Sequence, residues 1–330
     1  MGAIFKGTRE GKGKEMTEAL QSLFWILIFP GFLFTVCFGL VASWVVRKVS
    51  ALVQWRVGPP LLQPFYDVVK LMGKEVLVPQ DAQRTVFMAA PLVGLAGVLL
   101  LSTMLWRITI APEMLFVGDI IVAFYLMVLP SLALILGSSA SASPHAAVGT
   151  SREMKLVMSY ELSLVLALIV VIIKTGGQLN LAAIIQQTPA LSISGMLAFL
   201  VALLCVQAKL GFVPFDIAEA ETELGSGVLM EYSGALLAVW KVVQAMLLVA
   251  LPLFLVMVFL GGFGTSLWAG LLAGIGKYVL ILVLLILIKN TNPRVRIDQA
   301  MKFFWVYCGI ALAVAIILAI TGNYYGISWL

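Results

Sequence analysis

Gly211-Phe212-Val213-Pro214-Phe215-Asp216-Ile217-Ala218-Glu219-Ala220-Glu221-Thr222-Glu223-Leu224-Gly225-Ser226-Gly227-Val228-Leu229-Met230-Glu231-Tyr232-Ser233-Gly234 sets five carboxylates between two apolar runs, at 193–206 and 236–260. The chain has sixteen acidic residues in 330, so this stretch is where its negative charge concentrates. Ionisable groups beside or inside membrane spans are costly to bury and mark functional sites. Pro214 suits a first helical turn, where its missing N–H leaves nothing unpaired. A short helix from about 215 to 224 is therefore predicted, ended by Gly225-Ser226-Gly227, with Glu231 opening the next span. That helix would put Glu219 and Glu223 on one face at i and i+4, with Asp216 joining at i−3 and Glu221 pointing elsewhere. Like charges at this spacing repel, and crowding with partial burial is expected to raise at least one of these pKa values. The competing reading is a solvated acidic loop without chemistry. Proline, paired glycines and apolar residues interleaved with the acids favour the site.

Moving outward, the chain is 62% hydrophobic and 11% charged, with a mean hydropathy of +1.08. This is the composition of a polytopic membrane protein. About 20 apolar residues cross a bilayer. Runs at 23–46 (bent at Pro30), 86–106, 120–136, 156–173, 193–206, 236–260, 271–288 and 304–320 give eight candidate spans. The fold class expected is all-α: eight transmembrane helices in one bundle (23–330) after a polar tail (1–22). A cytoplasmic amphipathic helix and the acidic loop complete it. That surface helix falls in 63–78, with Phe65, Val68, Val69, Met72 and Val76 on the membrane and Asp67, Lys70 and Lys74 in water. Loops 47–83, 137–151, 211–227 and 289–302 form one set, which carries nine basic residues, all in 47–83 and 289–302, with Arg84 and Arg152 at its borders. This makes the set cytoplasmic and the N-terminus external. The localisation expected is the cell (cytoplasmic) membrane. The net charge of +5 is accounted for by this asymmetry and requires no nucleic acid.

Cys37, Cys205 and Cys308 are far apart in apolar runs, and the lone His145 cannot build a metal site, so no metal is expected in this chain. No internal repeat supports an inverted-repeat transporter. Within the spans, Glu161 and Glu231 are candidate proton carriers, and Lys241 is a candidate partner for either. Lys277 is a further buried base, and Glu161 has Lys155 or Arg152 as an alternative partner.

Four motifs match one family. They are Arg56-Val57-Gly58-Pro59-Pro60-Leu61-Leu62-Gln63-Pro64 followed by Asp67, Lys70, Lys74 and Glu75; Arg152 followed by Ser159-Tyr160-Glu161; Pro214-Phe215-Asp216 through Glu231-Tyr232-Ser233-Gly234; and Pro293-Arg294-Val295-Arg296-Ile297-Asp298-Gln299. Together they resemble the quinone-site membrane subunit (H type) of respiratory complex I and its homologues in membrane-bound nickel–iron hydrogenases and related ferredoxin-linked complexes. Gly58-Pro59-Pro60 is closer to the hydrogenase branch. So are three departures from the complex I pattern: Gln244 where a further glutamate is usual, Trp305-Val306 for Trp-Lys, and Ala218 for a proline.

The resemblance implies a subunit without a catalytic centre or cofactor of its own, which anchors a hydrophilic redox arm and couples it to proton or sodium translocation. Asp216, Glu219, Glu221, Glu223, Glu231, Glu161 and Lys241 would form the coupling path. Arg56, Asp67, Lys70, Lys74, Arg152, Arg294, Arg296 and Asp298 would hold the arm. The partners implied are a nickel–iron hydrogenase-like large subunit and an iron–sulfur small subunit on the cytoplasmic face, and antiporter-like subunits in the bilayer. The nickel–iron centre and the iron–sulfur clusters would reside in those partners. The alternative is a quinone-binding subunit. It requires a cavity between the first span, the 47–83 surface helix and the acidic loop.

Overall fold

The computed structural model describes residues 21–110, 119–220, 223, 225–264, 267–327, 329 and 330. They form helices and loops, with no strand among the described residues. Residues 21–27 are helical, the chain breaks at 28–31, and α1 (Phe32–Val53) follows. Pro30 thus interrupts the first span rather than bending it, as expected of a ring that removes a hydrogen bond and clashes with the preceding turn. The order continues with α2 (Gln63–Met72), α3 (Arg84–Ile110), α4 (Asp119–Ser139), α5 (Pro144–Lys174) and α6 (Leu181–Ile185). Then come α7 (Ile193–Lys209), α8 (Gly234–Phe259), α9 (Leu267–Thr291), α10 (Ile297–Lys302), a π-helical turn (Phe303–Cys308) and α11 (Gly309–Tyr325).

Among the described residues, seven helical segments are long and apolar enough to span a membrane. The eighth crossing is α7, whose 17 residues reach about 25 Å against a hydrocarbon core of about 30 Å. Its role follows from where its ends lie. At one end of the bundle Val295 N donates to Pro214 O (3.1 Å), and Gln83 N donates to Ala140 O (2.9 Å). There too, Leu77 N donates to Ser233 Oγ (2.8 Å). At the other end Ile120 N donates to Leu179 O (3.4 Å) and Ile193 N to Trp329 O (3.0 Å). α7 starts at this far end and runs into the acidic loop at the near one.

The bundle is organised around α8, whose apolar window is 94% buried. α1 and α3 pack against it, and α9 also touches it. The outer helices keep apolar side chains on their free faces, among them Leu272, Leu280, Ile310 and Ile317, which suits lipid contact. Cys205 and Cys308 are buried, whereas Cys37 is exposed on such a face rather than in the core. Lys277 donates to Leu260 O (2.6 Å) and Gly262 O (2.9 Å), carbonyls left over at the end of α8. It caps the chain where α8 ends. α5 begins at Pro144, well before the apolar run at 156, and so carries Arg152 and Glu153 on its first turns.

Candidate coupling site

The first half of the predicted helix from 215 to 224 does not form: residues 215–220 are an irregular loop, Glu223 is helical, and 221, 222 and 224 lie outside the described residues. Tertiary contacts take the carbonyls a helix would need. Gln207 Nε2 donates to Val213 O (2.7 Å), Val295 N to Pro214 O, and Arg152 Nη1 to Ile217 O (3.5 Å). The acids consequently fan out instead of sharing a face. Asp216 pairs with Arg294 (2.8 Å), Glu223 pairs with Arg152 (2.6 Å), and Glu219 accepts from Gln244 Nε2 (2.9 Å). Glu221 lies outside the described residues. Glu231 is half-buried ahead of α8, with no side-chain hydrogen bond or ion pair among the described residues.

The loop is fixed from behind. The Tyr232 ring stacks on Phe87 (4.3 Å, 5°) and its hydroxyl donates to Phe87 O (3.3 Å). Gly137 leaves room for that hydroxyl, since a Cβ there would lie 2.0 Å from it. Gly234 (φ +54°) lets the carbonyl of Glu75 approach to where a Cβ would be only 2.4 Å away. Tyr232-Ser233-Gly234 therefore bolts the acidic loop to α3 and to the α2 loop. At Gly227 (φ +47°) a Cβ would meet Ala218 O at 1.8 Å, and neither atom belongs to a movable side chain. Gly227→Ala is expected to destabilise the protein by about 2 kcal/mol or more, seen as a lower melting temperature and poorer recovery of the purified complex.

Two cavities meet at Glu219. The larger, about 560 Å³, lies between α1, α2, α8 and the 210–212 turn. Arg47, Asp67, Lys70, Lys74, Lys241 and Lys289 share its wall with Glu219 and Gln244. The smaller, about 60 Å³, runs inward and is lined by Glu219, Asp216, Gln244, Glu153 and Lys209. That is room for a few water molecules. Beyond it Lys209 makes a buried ion pair with Glu161, their side chains being 1% and 13% exposed. The Lys209 ammonium also sits 5.1 Å from the centre of the Tyr160 ring. Glu161 Oε2 is buried without a hydrogen-bond partner among the described residues.

A file of ionisable groups thus leads from the larger cavity through Glu219 and Glu153 to Lys209 and Glu161. Lys241 is not the partner of Glu161 or Glu231. Its ammonium faces the larger cavity and donates to Gln244 Oε1 (3.2 Å), so Gln244 bridges it to Glu219. Sequence reasoning passed over Glu153 and Lys209. Glu153 follows Arg152 in what read as the border of a loop, and Lys209 closes a run whose apolar part ends at 206.

Residues 25–320 match the family model described as NADH dehydrogenase. The chain is 34% identical over 311 residues to the H subunit of NADH-quinone oxidoreductase from Syntrophotalea carbinolica, covering 88% of this chain and 93% of the relative. The chain belongs to the NADH dehydrogenase family. The corresponding H subunit from Anoxybacillus flavithermus is 33% identical over 295 residues, covering 85% and 86% of the two chains. Among solved structures, a chain of the membrane-bound sulfane sulfur reductase, an archaeal respiratory membrane complex, superposes with a TM-score of 0.81 at 26% identity. That match covers 90% of this chain and 99% of the other. The protein is a multi-pass membrane subunit of a complex I-like assembly.

The remaining family motifs surround this site. The Arg56–Pro60 segment folds back on the end of α1: Trp44 Nε1 donates to Pro59 O (3.1 Å) and Lys48 Nζ to Val57 O (2.6 Å). Arg56 itself is exposed. Arg296 and Asp298 are exposed and lie 3.5 Å apart. With Arg152, Arg294, Asp216 and Glu223 they line a groove of about 330 Å³ on the same end of the bundle. The surface helix agrees with expectation at Val69, Met72 and Val76, which are exposed apolar residues. It agrees also at Lys70 and Lys74, which are exposed where they share the wall of the larger cavity with Asp67.

Partial burial opposes the charged form of Asp67, yet hydrogen bonds from Arg47 and Gln63 outweigh it and hold its pKa below the ordinary value. The hydrogen bond from Arg152 and its charge likewise lower that of Glu223, the opposite of what carboxylate crowding would do. Both contributions are fully present above the ordinary carboxylate range, near pH 4, and are lost as pH falls through the lowered folded values. Thermal stability of the complex is therefore expected to weaken on acidification below about pH 4. In Asp67→Asn and Glu223→Gln that acid limb should be shallower, and an unchanged limb would count against these pairs.

Proposed function

We propose that this chain is the membrane-anchor and coupling subunit of a membrane-bound hydrogenase-like, ferredoxin-linked oxidoreductase. It docks a hydrophilic redox arm and links it to proton or sodium translocation through buried carboxylates. The observation that carries this reading is the file Glu219, Glu153, Lys209, Glu161, which starts under the acidic loop and ends inside the bundle. A single charge arriving about 10 Å away at an effective dielectric of 20 is worth roughly 1.7 kcal/mol, more than one pKa unit. A redox change in a protein resting on the loop could therefore shift protons among these acids. The arm would rest on the groove edged by Arg152, Arg294, Arg296 and Asp298, and the exposed Arg56 would be a further contact. The nickel–iron centre and iron–sulfur clusters would belong to the partner subunits, and antiporter-like subunits would receive the signal within the bilayer. The test is purification of the intact complex with metal analysis. Nickel together with iron, copurifying with this chain, supports the hydrogenase-like branch; a complex without nickel contradicts it.

One observation favours the second reading, a quinone-binding H-type subunit. The cavity of about 560 Å³ lies where such a ligand would need it, between α1, α2 and the acidic loop. Titration with a quinone analogue separates the two. Saturable inhibition of electron transfer supports a quinone site, and inhibition absent at every concentration supports the ferredoxin-linked role.

A further inference from the structure

The wall of the larger cavity carries five cationic side chains, Arg47, Lys70, Lys74, Lys241 and Lys289, against two carboxylates, Asp67 and Glu219. Arg47 is satisfied by Asp67 at 2.9 Å. The others are not matched in the same way. Lys241 donates to the neutral Gln244. Lys289 lies over the Phe212 ring at 4.6 Å. Lys70 and Lys74 make no side-chain hydrogen bond among the described residues. Arg47, Lys70, Lys74 and Lys241 are exposed and Lys289 is half-buried, so the recess opens to solvent. A cleft lined by one sign of charge focuses the field and concentrates counter-ions. The volume is that of a small-molecule site. Between the charges the wall is apolar, with Leu40, Val68 and Leu248. The helix that forms one side leaves Tyr66, Val69 and Met72 exposed on its outer face.

We infer that this cavity binds a phosphate-bearing anion, held by Lys70, Lys74, Lys241 and Lys289 with Glu219 at the inner margin. The phosphate comes from an acidic lipid headgroup or from free phosphate. The proposal rests on the first reading, since the second gives this same cavity to a quinone. Its excess positive charge suits an anion better than a neutral lipophile. Because Glu219 belongs to both cavities, occupancy would set the field at the entrance of the carboxylate file.

The experiment uses the intact complex in nanodiscs containing phosphatidylglycerol and phosphatidylcholine in equal amounts, followed by native mass spectrometry of lipid retained after detergent exchange. In parallel, the lipid-depleted complex is titrated calorimetrically with inorganic phosphate. Wild type is expected either to retain phosphatidylglycerol in preference to phosphatidylcholine or to bind phosphate saturably, and which arm responds identifies the source. Lys70→Gln with Lys241→Gln should weaken the response roughly thirtyfold, from the loss of two headgroup-facing charges. Lys241→Arg should keep it. If the double variant fails to assemble, the wild-type preference still decides. Equal retention of the two lipids together with no saturable phosphate binding overturns the proposal, as does a preference that survives intact in an assembled double variant.

Discussion

Lys209→Met is expected to destabilise the protein by about 3–5 kcal/mol, the cost of leaving one member of a buried ion pair without the other. Lys209 is the cation for Glu161, with its side chain 1% exposed. No other charged partner for Glu161 is present among the described residues, and one of its oxygens is already without a hydrogen bond. The complex carrying Lys209→Met should therefore show a sharply lower melting temperature or fail to assemble. Lys209→Met combined with Glu161→Gln removes both charges and should recover most of the loss, since the penalty belongs to the unpaired ion rather than to the missing contact. Thermal unfolding of the four species of this cycle checks it. A single variant as stable as wild type would mean that the pair is hydrated and not a step in a buried file.

The second large effect concerns Glu153. It shares the inner cavity with Glu219, Asp216 and Lys209, and Asp216 is engaged by Arg294. Glu153→Gln keeps size and hydrogen-bonding capacity but cannot exchange a proton. The complex should assemble, because the residue is only half-buried and glutamine fits the same space. In sealed proteoliposomes, ion movement per electron should fall by at least about tenfold, a loss smaller than the roughly hundredfold at the lower end of what a positioned proton-transfer group contributes. Electron transfer measured in detergent should be retained. Wild-type ion movement in this variant would remove Glu153 from the path.

Much of this arrangement was legible in the sequence. Apolar runs of spanning length define the bundle, and the basic residues of the 47–83 and 289–302 loops mark the end where the acidic loop sits. Tyr232-Ser233-Gly234 reads as a family motif, though only the folded chain gives its physical sense: a stacked ring, a hydroxyl acceptor and a glycine that admits a carbonyl. Four features were hidden for identifiable reasons. The 215–224 segment has helical charge spacing, but carbonyls in and beside it are claimed by Gln207, Val295 and Arg152 from other parts of the chain. Local propensity cannot anticipate such contacts. The pairing of Lys209 with Glu161 joins α7 to α5 across 48 positions. Hydropathy also trims polar helix ends, which hid Glu153 on the first turns of α5 and made it a loop neighbour of Arg152. The polar face of α2 was legible as water-facing, since Lys70 and Lys74 are exposed; that the same face edges a cavity was not.

The account depends on carboxyl groups beneath the acidic loop changing protonation when a neighbouring centre changes charge. Infrared difference spectra of the intact complex, oxidised against reduced, measure this directly through the protonated carboxyl stretch. A redox-dependent carboxyl band is predicted, diminished or removed in Glu219→Gln and in Glu153→Gln. No such band, or one left intact by both substitutions, would contradict it.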